Sequence, residues 1–65
     1  MKPYRVTMKV KAGIGPTQFF DTEDEARQYV NDCKNDKLVL ALAIERNEPK
    51  WVRISTTRYF RREAQ

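Results

Sequence analysis

Residues 38 to 44, Leu-Val-Leu-Ala-Leu-Ala-Ile, are apolar at every position, the longest such run in the chain. Seven residues between the polar flanks Asp36-Lys37 and Glu45-Arg46-Asn47 suit a strand better than a helix. A strand apolar on both sides belongs inside a sheet, with neighbours on either edge. The remaining segments must be built around it.

Tyr4 to Lys11 alternates without a break. Tyr4, Val6, Met8 and Val10 fall on one side, and Arg5, Thr7, Lys9 and Lys11 on the other, which is the period of a half-buried strand. Ala12-Gly13-Ile14-Gly15-Pro16 interrupts it with turn chemistry. Thr17 to Phe20 is short, aromatic and strand-like, so it predicts a hairpin whose second arm starts after Pro16 and lies at an edge. The last strand runs from Lys50 to about Phe60, after a turn at Arg46-Asn47-Glu48-Pro49. Unbroken alternation sends Val52 and Ile54 inward and Trp51, Arg53, Ser55, Thr57 and Tyr59 outward.

Between these lies one helix. Thr22-Glu23-Asp24-Glu25 has the spacing of a capping box, with Thr22 as N-cap and Glu25 reaching back to it. The acids at its start complement the helix dipole. Ala26, Tyr29, Val30 and Cys33 recur at i, i+3, i+4 and i+7 and form one apolar stripe, and Asn35 has the chemistry of a left-handed cap. The expected architecture is an α+β, two-layer β-β-α-β-β domain over residues 1–65, with one helix packed on a four-stranded antiparallel sheet. Strand order 2-1-3-4 keeps the two-sided third strand inside; order 2-1-4-3 is the alternative. The helix is expected to cover Tyr4, Val6, Met8, Val10, Leu38, Leu40, Leu42, Ile44, Val52 and Ile54.

A chain of 65 residues buries only about 60% of its unfolded surface and has marginal stability. One cysteine, Cys33, and no histidine allow neither an internal disulfide nor a zinc site, so a partner chain is one expected source of extra stability. A lone cysteine fits a reducing compartment. With no apolar run long enough for a signal peptide or a membrane span, the expected location is the cytoplasm. Cys33 on the apolar stripe reads as an inert buried thiol, because no histidine can activate it. Glu23, Asp24 and Glu25 fan out around the helix and do not converge on a metal. Gly13-Ile14-Gly15-Pro16 has no helix directly behind it to aim amides at a phosphate; Ile14 at its tip is expected to cap the core. No catalytic residue, metal ligand or cofactor site is expected, and the chain reads as a non-enzyme.

Charge supplies the functional signal. Residues 21–36 carry six acids against Arg27 and Lys34, a net of −4, while the rest carries eleven bases against Glu45, Glu48 and Glu63, a net of +8. The helix is therefore acidic and the sheet basic, a surface suited to an anionic partner: nucleic acid or an acidic protein surface. On the face away from the helix, alternation gathers Arg5, Lys9, Lys11 and Arg53 with Trp51 and Tyr59 over a floor of Val39, Ala41 and Ala43. Bases of single-stranded RNA or DNA stack on aromatic rings while Lys and Arg hold phosphates. Arg58 and Arg61, in the cluster Arg58-Tyr59-Phe60-Arg61-Arg62, extend the same basic surface; a solubilising tail with Phe60 tucked against the core is the competing reading. The bland alternative for the whole face is solvated Lys, Arg and Thr with aromatics covering their neighbours. A further alternative is a homodimer packed through the apolar strip of that face.

In layout and size the chain resembles the compact α+β accessory proteins of bacteriophages and mobile elements. Many of these act by binding a host enzyme or defence complex. The resemblance covers architecture and scale, with no shared motif, so it assigns no residue a role. It implies a second expectation, an inhibitor or regulator that docks on a host protein machine. The first remains a nucleic-acid-binding module.

Overall fold

The computed structural model describes residues 2–59. One helix packs on a five-stranded antiparallel sheet, an α+β domain. Strands β1 (Tyr4–Val10), β2 (Gly13–Ile14) and β3 (Gln18–Phe20) precede helix α1 (Glu23–Cys33). Strands β4 (Val39–Asn47) and β5 (Trp51–Arg58) follow it. The order is β2-β1-β4-β5, with β3 also on the free side of β1. The expected 2-1-3-4 arrangement holds, with the hairpin's return arm split into two short pieces. Gly13 permits the first turn, since its φ of 137° is one that side chains disfavour. Gly15 lets the chain cross close to β1: a Cβ there would lie 3.0 Å from both Met8 Sδ and Val10 Cγ1.

The helix begins as its sequence dictates. Thr22 accepts from the Glu25 amide at 3.2 Å, and the Glu25 carboxylate accepts from the Thr22 amide at 3.2 Å. Its end differs from expectation. The C-cap is Lys34 in a right-handed conformation, and no described residue other than glycine has positive φ, so Asn35 is not a left-handed cap. Ala26 is fully buried, and Tyr29, Val30 and Cys33 pack beside it against Val6, Met8, Val39, Leu42 and Ile44.

Two β-bulges reset which side chains reach that core. Between β1 and β4, Lys9 faces Ala41 but Val10 faces Val39, leaving Leu40 as the extra residue. Between β4 and β5, Ile44 faces Ser55 but Glu45 faces Arg53, leaving Ile54 extra. Each bulge shifts the alternation by one position. Val39 therefore enters the core at 1% exposure, while Leu38, expected inside, is 61% exposed. Beyond Ile54, Ser55, Thr57 and Tyr59 turn to the helix side, and Thr56 and Arg58 take their places outside. Ile14 does not cap the core; it stands 92% exposed.

Candidate functional site

With the register fixed, the sheet face opposite the helix is a grid of cross-strand rows. Ile14, Lys9, Ala41 and Arg58 form one row across four strands. Thr7, Ala43 and Thr56 form the next. Phe19, Arg5, Glu45 and Arg53 form the third, and Asn47 and Trp51 close the end. Small residues make the floor: Ala41, Ala43, Thr7 and Thr56. Cations stand at its four corners. Lys9 and Arg58 lie two strand spacings apart, about 10 Å, and the Arg5/Arg53 row lies four residues along β1, about 13 Å away.

Glu45 ties down the second cationic row. It is 8% exposed and is the one buried polar residue among those described. Arg5 Nε donates to one of its carboxylate oxygens at 2.6 Å. Arg53 Nε and Nη2 donate to the other at 3.4 and 3.3 Å. The Arg5 side chain is 29% exposed and Arg53 58%, so the shorter bond belongs to the more enclosed arginine. The Arg5 guanidinium also lies 4.3 Å from the centroid of the Trp51 ring, and Phe19 packs on Trp51 at 6.1 Å with the rings tilted by 57°. Phe19, Trp51, Lys2 and Asn47 line an open groove of about 360 Å³ at this end of the face.

The residues expected to bind a partner are thus partly assembled. Arg5, Lys9, Trp51, Arg53 and Arg58 share the face. Tyr59 does not: the Ile54 bulge turns it to the other side, where it packs on the core and its hydroxyl donates to the Val30 carbonyl at 3.5 Å. Lys11 lies in the turn after β1, its amide bonded to the Leu38 carbonyl at 2.9 Å. Arg61 and Phe60 lie outside the described residues. The expected apolar strip shrinks too: Val39 is buried in the core, Ala43 is buried at 6% exposure, and Ala41 is half-buried.

Two members of the face escaped the sequence reading. Glu45 follows Ala41 and Ala43 at the same period, and extending the alternation past Ile44 puts it beside Arg5. Phe19 alternates with Gln18 and Phe20, and the hairpin register sets it opposite Arg5.

Elsewhere, burial pushes the Cys33 thiol pKa up; a hydrogen bond with Tyr29 lowers it in part, and Asp36 and Asp32 add to the rise. Burial likewise raises Tyr29, with Cys33 adding to it. No group of three or more His, Cys, Asp or Glu side chains converges on a metal position among the described residues. No helix there is long and apolar enough to cross a membrane. Compared with known proteins, the chain matches no protein family, no curated protein and no solved structure.

Proposed function

We propose that the protein is a non-catalytic binding module whose uncovered sheet face engages single-stranded nucleic acid in a reducing, intracellular setting. One observation carries the reading: four basic side chains, Arg5, Lys9, Arg53 and Arg58, frame a floor of small residues against the single acid Glu45, a net of +3. That pattern leaves room for a flat chain between the cations. The Phe19–Trp51 groove at one end supplies the ring surface on which a base stacks, a contact worth about 1–3 kcal/mol. One or two such contacts with several phosphates give roughly micromolar affinity. Arg53 is the cation best able to leave Glu45 for a phosphate, since its bonds are longer and its side chain more exposed.

The test is a titration of end-labelled twelve-nucleotide RNA and DNA at 50 and 200 mM salt, followed by anisotropy and by Trp51 fluorescence. Salt-sensitive binding with a change in Trp51 emission supports the reading. Binding absent at 50 mM salt and 100 μM protein sinks it.

A second reading, a regulator docked on a protein machine, is favoured by the apolar side chains at the rim of the face. Ile14 is 92% exposed and Phe19 48%. Partners retained from a nuclease-treated lysate by the wild type, and lost with Ile14→Asp, support this reading over the first.

A further inference from the structure

β5 ends the sheet order, so one side of Trp51–Arg58 has no strand beside it among the described residues. α1 packs on β1, β3 and β4. Between α1 and β5 lies a groove of about 290 Å³, with Ile44, Ser55, Thr57 and Tyr59 on its sheet wall and Arg27, Val30, Asn31 and Lys34 on its helix wall. The sheet wall is apolar or hydroxyl-bearing, and the helix wall adds two cations and an amide. On the opposite side of the same edge stand Arg53 and Arg58.

We infer that the β5 edge accepts an extended segment of an acidic partner protein as a sixth strand. Successive side chains of an added strand point to opposite faces. One set would enter the helix-side groove, where small β-branched residues fit against Val30, Ile44 and Thr57. The alternate set would lie beside Arg53 and Arg58, where carboxylates fit. The edge amides and carbonyls would supply the main-chain bonds of strand addition. A second copy of this chain is disfavoured, because it brings another Arg53, another Arg58 and a net charge of +4 to the same edge. Arginines and a bulge ordinarily guard an edge against self-pairing; here the same devices select for a negatively charged strand. The inference does not depend on nucleic-acid binding, although Arg53 and Arg58 would belong to both surfaces.

The test uses a capped ten-residue peptide of alternating glutamate and valine, titrated into the isotope-labelled full chain and followed by NMR. Strand addition predicts shifts and slowed exchange at the β5 amides not bonded to β4, with cross-strand contacts between backbones. It also predicts at least tenfold weaker binding after N-methylation of every second peptide amide, or when the same residues are arranged as a block of glutamates and a block of valines. Three outcomes overturn the inference. The first is no binding at millimolar peptide. The second is binding indifferent to N-methylation and to residue order, which marks diffuse attraction to the arginines. The third is a free protein that already sediments as a dimer with those β5 amides protected.

Discussion

Glu45 is the residue on which the face turns. It sits nearly buried between two arginines, and such an acid has opposite effects on folding and on the proposed binding. Removing it leaves Arg5 half-enclosed with its carboxylate partner gone. Glu45→Ala should therefore destabilise the fold by about 1–3 kcal/mol in urea denaturation. On the proposed nucleic-acid reading, the same change frees Arg5 and Arg53 for phosphates. With Glu45 present, three net charges predict a salt slope near −2, about a 20-fold loss of affinity from 50 to 200 mM salt. Glu45→Gln should steepen the slope to near −3, about a 50-fold loss, and tighten binding at low salt. A weaker complex with an unchanged slope would show that Glu45 is no brake on this surface.

Trp51 separates stacking from charge. Trp51→Ala should weaken binding of labelled oligonucleotide by about 1–3 kcal/mol with the slope unchanged. Arg58→Ala should instead flatten the slope by about 0.7. If both variants alter only the slope, the Phe19–Trp51 groove holds no base.

At the scale of elements, the bulges are the decisive structures. They reverse the importance of two neighbouring residues. Val39→Ala should cost about 2 kcal/mol, because the side chain is fully buried. Leu38→Ala should stay within about 0.5 kcal/mol. Unbroken alternation demands the opposite ranking, so denaturation of these two variants tests the register directly. The helix makes its own prediction through Cys33. Its folded pKa lies above the ordinary thiol value, so the fold prefers the protonated thiol. That contribution is intact below about pH 8.5 and is lost as pH rises through the folded pKa. Stability should fall as pH rises above about 8.5, and Cys33→Ala should flatten that fall. An identical decline in the variant would place its origin elsewhere.

Taken whole, the molecule is polarised: an acidic helix on one side and a basic sheet on the other, with β5 ending the order of the described strands. That layout was legible early, because each element carries its own period. The helix repeats at i, i+3 and i+4 from Ala26 to Cys33, Tyr4 to Val10 alternates, and residues 38–44 are apolar throughout. Those patterns follow from backbone geometry alone, so they determined the element order, the antiparallel sheet, the single helix and the sign of each surface. They could not determine which face each β5 residue meets. Ile54-Ser55-Thr56-Thr57 is a run of β-branched and hydroxyl side chains that are comfortable on either side of a sheet, so nothing in it marks the extra residue. The bulge forms only when β5 is paired against β4, and that pairing sent Tyr59 to the core and Arg58 to the open face. The Arg5–Glu45–Arg53 bridge has the same origin: its members are 40 and 8 positions apart along the chain, and register alone makes them neighbours.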